Sequence, residues 1–351
     1  MNRPRGVRAL LLPTSQRGSH RPDGPGYSRI AWWRSRRRGH ARRSRALRGW
    51  PLWTCPVTAA GSWKEGRTVS ESAPVRDDAA IAAAAPAGVD PQAPHVPRVM
   101  DYLLGGTANF EIDRQAAALA FQNWPGETGG VAGVRVDIGH ARAALGRVVR
   151  HLVADRGITQ FLDIASGLPT MGNVHLAARE LAPEAKVVYV DNDPQVVAHA
   201  QHLLAEESGA EVVFLQGDFH EPGKVLARAA ETLDFTRPVG LVLFGMLHFV
   251  EDFDEGARLL AGYLGALPPG SCVAVSHFAR DDEDTAMNAT LDALDAQLGE
   301  AVVRRTRTEV EKFFDGLEVA EPGIVETQNW RPTDTSWPAP LPMWVGVARK
   351  R

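Results

Sequence analysis

The stretch FLDIASGLPT, Phe161–Thr170, decides the fold. It reads as a buried strand with an acid near its end, Asp163, then a tight turn with a single glycine, Gly167, then Pro169 ahead of a helix. A strand that runs through such a turn into a helix is how nucleotide-binding α/β proteins begin. The dinucleotide fingerprint, however, sets three glycines in that turn, and here only Gly167 lies at it.

Downstream of this unit, strands and helices alternate. Strands are predicted at ITQFLDI, KVVYVD, EVVFLQ, VGLVLFG and SCVAVSHF. Helices are predicted after Pro169, after Pro194, around Glu221–Thr232 and at Asp254–Leu267, with another near Asp284–Leu298. Continuous apolar strands separated by helices imply a parallel sheet covered on both faces. GLEVAEPGIV and PMWVGVARK read as two closing strands. No internal repeat is visible.

Upstream, DIGHARAALGRVVRHLVAD carries Ile138, Ala141, Leu145, Val148 and Leu152 at helical spacing, and Gly157 ends it. NFEIDRQAAALAFQNW reads as a second helix, closed by Pro125–Gly126, and HVPRVMDYLLGG as a short one ended by Gly105–Gly106. Residues 95–156 therefore form a helical cap ahead of a sheet domain at 157–351, and residues 69–94 read as an Ala/Pro linker.

Charge divides the chain. Residues 1–70 hold 15 Arg and 1 Lys against Asp23 and Glu65, a net of +14; the rest holds 23 basic and 40 acidic residues, a net of −17. Residues 1–68 are rich in Arg, Gly, Pro, Ser and Trp and lack an apolar period, so they read as a disordered basic tail. Such a tail suits a nucleic-acid-binding arm or a transit peptide. The reading favoured here is an over-extended reading frame, because VSESAPVRDD from Val69 looks like a natural amino terminus. The acidic body is a poor partner for nucleic acid. Two cysteines, Cys55 and Cys272, make neither a disulfide framework nor a zinc pattern, which suits the cytoplasm. No apolar run reaches about 18 residues, so no membrane partner is expected.

In a doubly wound sheet, ligands sit beyond the carboxyl ends of the strands. Asp191, in VDNDP with Asn192, follows the second strand and suits a ribose diol, since a carboxylate accepts from two hydroxyls at once. Asp218 and Phe219 follow the third strand and suit an adenine, one accepting from its amine and the other offering a ring face. Ribose plus adenine means an adenosine ligand. From Phe161 to Gly172 there is no Lys or Arg, so a pyrophosphate is a poor fit and a methionine-type tail a better one. Asp163 would accept from its ammonium, and Gly167 would let the backbone approach. Each residue also has a plainer reading: Asp163 as a helix cap, Asp191 and Asp193 as turn residues before Pro194. No phosphate loop, metal-ligand cluster or Ser-His-Asp signature is present.

The segments PHVPRVMDYLLGGTANFEIDR, QFLDIASGLPTMGNVH, VVYVDNDPQVVAHA, LHF, LPPGSCVAVSH and FFDGLEVAEPGIV resemble the actinobacterial S-adenosylmethionine-dependent methyltransferases once grouped as a domain of unknown function. The resemblance runs from Pro94 to Arg349. It implies a seven-stranded, doubly wound Rossmann-like methyltransferase sheet with the last strand antiparallel, a helical amino-terminal cap, and S-adenosyl-L-methionine as cofactor. The family shows glycine where Ala165 stands, and an Asn–Arg pair followed by Phe where Ala141, Arg142 and Ala144 stand.

What the resemblance implies for chemistry is methyl transfer to a small molecule at oxygen or nitrogen. MLHFVEDF is similar to the His-containing stretch of small-molecule O-methyltransferases, which makes His248 the candidate base; a buried structural histidine is the competing reading. His277 and Tyr102 are weaker candidates. A catalytically silent S-adenosylmethionine-binding sensor is the alternative function. A nicotinamide oxidoreductase would share Asp191 but should show the glycine triplet. The acceptor and the oligomeric state are not legible.

Overall fold

The computed structural model describes residues 76–122, 124, 129–170, 172–207, 211–280, 292, 302–332 and 342–351. The basic segment 1–68 and, Asp292 excepted, the helix expected at 284–298 lie outside the described residues.

Strands β1 (Gln160–Ile164), β2 (Lys186–Asp191), β3 (Val212–Gln216), β4 (Gly240–Phe244) and β5 (Cys272–Phe278) are parallel and lie in the order β3-β2-β1-β4-β5. Strand β8 (Met343–Arg349) runs antiparallel beside β5 over its whole length, and β6 (Glu318–Val319) runs antiparallel beside β8. These seven form one path, as expected, with the last strand reversed. An eighth, β7 (Val325–Glu326), also pairs with β8. GLEVAEPGIV is thus two short strands and not one. Pro322 has no N–H to give a ladder, and Gly323, at φ +89°, turns the chain by donating to the Ala320 carbonyl at 2.8 Å.

The pleat sorts the side chains into two cores. Phe161, Val187 and Tyr189 face the side covered by α4 (Gly130–Arg156), α5 (Val174–Arg179) and α6 (Pro194–Glu207). Leu162, Ile164, Val188 and Val190 face the side covered by α7 (Pro222–Ala229), α8 (Phe253–Ala266) and α9 (Arg307–Glu311). Since successive side chains alternate, Asp163 and Asp191 both fall on the α4 side.

The amino-terminal region is helical. The supposed linker contains α1 (Asp78–Ala83), capped by Asp77, and Val89 is buried. Helices α2 (Val96–Leu103) and α3 (Glu111–Phe121) pack on the first half of α4, where Leu103, Ala117, Trp124, Val134 and Ile138 make a third core. Helix α4 begins seven residues earlier than its strongest apolar stripe suggests, because Val131 and Val134 continue that stripe into this core. The glycine pair after α2 has two separate causes. Gly105 adopts φ +85°, and a side chain on Gly106 would run 1.9 Å from Asp101 Oδ1.

Candidate active site

Strand β1 delivers Asp163 to the edge of the α4-side core, where it is buried. Burial raises its carboxyl to about 7; Arg142 opposes the rise and Asp191 adds to it. The turn that follows crosses β2, the amides of Ala165 and Ser166 donating to the Val190 carbonyl at 2.7 and 3.3 Å. Ala165 sits at φ +55°, a left-handed conformation that costs a non-glycine residue roughly 1–2 kcal/mol. This gives a physical reason for a glycine at that position, and alanine here carries the strain. Gly167 is at φ +62°, and a Cβ there would point into open space. The glycine is therefore required by the backbone, and it leaves room on the outer side of the turn.

Asp191 ties the two turns together. Its Oδ2 accepts from the Gly167 amide at 3.0 Å and its Oδ1 from the Asp193 amide at 3.1 Å. Burial raises its carboxyl, against the pull of those amides. An ionised carboxylate offers about four acceptor positions, so these amides do not exhaust it. Asn192 is exposed, and its carbonyl takes Gln216 Nε2 at 3.3 Å.

After β3, Asp218 is held below the usual carboxylate range by the amide and ring of His220, both bonded to Oδ1 at 2.8 Å; Oδ2 is left for a ligand amine. Phe219 does not present its ring. It is 3% exposed and stacked on Tyr263 at 5.3 Å, and the Tyr263 hydroxyl donates to its carbonyl at 3.0 Å. Its place is in the α7–α8 core, beneath the loop that carries Asp218. The expectation of an aromatic face for adenine fails because that face is already packed.

After β4 the chain makes a 3-10 turn, Leu247–Phe249, that holds His248. The ring is buried, 4.5 Å from Phe249, 4.8 Å from Phe278 and 5.8 Å from His277. Burial, then His277 and Arg305, hold its pKa well below the ordinary value, so the imidazole is neutral. Among the described residues its Nδ1 has no hydrogen-bond partner. Phe249 itself is half exposed. It forms one wall of an open groove of about 480 Å³, also lined by His220, Val250, Glu251, Asp252 and Glu255.

His277 has another task. Its Nδ1 lies 2.9 Å from the Phe278 carbonyl, and its Nε2 accepts from Arg305 Nη1 at 2.8 Å. Buried Arg305 also donates to the carbonyls of Leu247, Val250 and Glu251 at 3.1, 2.9 and 3.0 Å. It thus staples the turn that carries His248. Tyr102 packs in the cap core with Arg135 over its ring at 5.3 Å.

Three further groups lie beside these strand ends and lack an assignment from the sequence. His95 reaches from the cap to Asp193, Nε2 to Oδ2 at 2.7 Å. Burial resists, but His95 and the amides of Gln195 and Val196 hold Asp193 below the usual range. Asp101 accepts from Asn109 at 2.7 Å; burial raises its carboxyl, and Thr170 of the β1 turn opposes the rise. Arg142 of α4 lies along that turn, with its Cγ 3.0 Å from where a Gly172 Cβ would stand. Arg142 was legible as a charge on the sheet-facing stripe, three residues before Leu145 and seven before Val149. His95 and Asp101 carry no such signal, since their partners are distant in sequence.

A parallel sheet with carboxylates at three successive strand ends and a helical cap over them defines a nucleoside-binding α/β protein. Over residues 82–351 the chain matches the family model described as S-adenosyl methyltransferase, and it belongs to that family. It is similar to the crystal structure of a protein from Thermobifida fusca YX provisionally described as a methyltransferase. The two are 36% identical over 74% of this chain and 96% of that one, with a TM-score of 0.64. It is also similar to a duf574 family protein from Streptomyces avermitilis MA-4680, 34% identical over 74% of this chain and 98% of that one, with a TM-score of 0.65. A comparison with curated proteins gives no match. The protein is an S-adenosylmethionine-dependent methyltransferase.

Proposed function

We propose that the protein methylates an oxygen or nitrogen of a small molecule, with His248 taking the proton that the acceptor loses. The observation that carries this is a neutral imidazole at the end of β4, with a ring nitrogen that has no partner among the described residues. A neutral ring can accept a proton, and a positioned base contributes about 10²- to 10⁴-fold. The groove beside Phe249 has the volume of a small-molecule site, which lies in the range of roughly 300–1,000 Å³. It begins at His220, the partner of Asp218, and so adjoins the proposed adenosine site.

The cofactor supplies an electrophilic methyl group on a sulfonium. Asp191 accepts from the ribose hydroxyls, Asp218 from the adenine amine, and Asp163 from the methionine ammonium. Gly167 gives the outer face of the turn the space to receive that tail. Arg305 fixes the His248 turn from beneath, so the base keeps its position relative to the strand ends. Holding the reactants in line contributes about 7–11 kcal/mol to such a step.

The test is His248→Ala, assayed with an acceptor found by incubating labelled cofactor with cell extract. Turnover should fall about 10²- to 10⁴-fold with cofactor affinity unchanged. A variant that loses cofactor affinity and melting temperature together would make His248 structural. A wild-type protein that binds cofactor and methylates nothing in any extract would favour a binding role.

A further inference from the structure

We infer that Arg142, reaching in from the cap helix, binds the α-carboxylate of the cofactor's methionine portion while Asp163 holds its ammonium. This rests on the S-adenosylmethionine site proposed above. The turn from Phe161 to Gly172 contains no basic residue, so any cation for a ligand carboxylate must come from elsewhere in the fold. Helix α4 provides one. Leu145, Val149 and Val153 mark the face of α4 that packs on the sheet, and Arg142 continues that face beyond the carboxyl end of β1. Asp163 comes up to the same level from the sheet, on the side that α4 covers. The stem of Arg142 lies against the turn at Gly172.

The two groups sense each other, each opposing the effect of burial on its neighbour. Yet Arg142 makes no hydrogen bond or ion pair among the described residues. A half-buried guanidinium with five donors and no acceptor is an unfinished arrangement. Asp163 is an opposite charge close enough to be felt, and no hydrogen bond joins the two among the described residues. An α-amino acid completes both ends: its ammonium faces the carboxylate and its carboxylate meets the fork of the guanidinium, which matches that group two bonds at a time. A phosphate would meet Arg142 but would be repelled by Asp163.

The experiment is equilibrium calorimetry with three probes: S-adenosylmethionine, decarboxylated S-adenosylmethionine, which keeps the ammonium, and 5′-methylthioadenosine, which has neither group. Arg142→Met should weaken S-adenosylmethionine about tenfold or more and leave the other two within about twofold. Asp163→Asn should weaken both probes that carry an ammonium and spare methylthioadenosine. Equal losses for the carboxylated and decarboxylated probes in Arg142→Met, or no loss for either, overturn the assignment while the cofactor site stands. If wild-type protein binds none of the three, the adenosine site itself is wrong and this inference falls with it. Should Arg142→Met melt far below wild type, Arg142→Lys decides. A lysine keeps the charge but not the fork, so a selective, smaller loss for the carboxylated probe supports the assignment, and an unchanged affinity overturns it.

Discussion

Asp163 places binding and stability in opposition. Its carboxyl is raised by burial to about 7 in the fold, against 3.8 for the ordinary group. Between those values the folded state holds a proton that the unfolded state has lost. Stability from this residue is therefore present at low pH and falls as pH rises through that window, by up to about 1.4 kcal/mol per unit. Asp163→Asn should flatten the fall and raise the melting temperature at pH 8, while weakening S-adenosylmethionine in the same preparation. Thermal melts from pH 4 to 8 check the first part, and a variant that melts lower at pH 8 would mean that the carboxylate is held by favourable contacts. At this scale the sequence was legible where strand alternation does the positioning. Asp163 and Asp191 follow apolar strands in phase, so their face and their end of the sheet could both be read. Phe219 could not, because the ring that packs on it, Tyr263, lies 44 residues away in the chain.

Among the elements, the turn after β4 depends on a single buried side chain. Arg305 donates to three carbonyls of that turn and its approach to α8, and to His277, and it lies over the rings of Phe253 and Phe313. Removing it leaves several buried acceptors unpaired, each costing about 1–3 kcal/mol. Arg305→Met should lower unfolding free energy by roughly 2–5 kcal/mol, and amide exchange should quicken at Leu247–Val250 before the rest of the sheet. Urea titration with exchange mass spectrometry measures both; uniform exchange across the sheet would show that the turn is not a separate unit. Helix and strand positions were legible because apolar periods are local. The clamp was not, since Arg305 is 58 residues from Leu247, and in sequence it is one more arginine in VVRRTRTE.

For the whole molecule, the charge division and the family match point the same way. The match begins at residue 82, and two solved relatives are aligned over 96% and 98% of their own lengths by 74% of this chain. The family match leaves residues 1–81 outside it. A chain shortened to begin at Val69 should keep its melting temperature and its cofactor affinity; a loss of several degrees would show that the basic region packs on the body. The parallel sheet and its reversed last strand were legible from alternation and resemblance. The splitting of the sixth strand was not, because it follows from one proline and one glycine whose effect depends on the strand beside them. Helix α4 has a mechanical consequence. It is one unbroken rod of 27 residues, about 40 Å long, with its first half built into the cap core and its second half into the sheet core. A beam anchored at both ends does not act as a hinge. The part of the cap core built on α4 therefore stays aligned with the sheet.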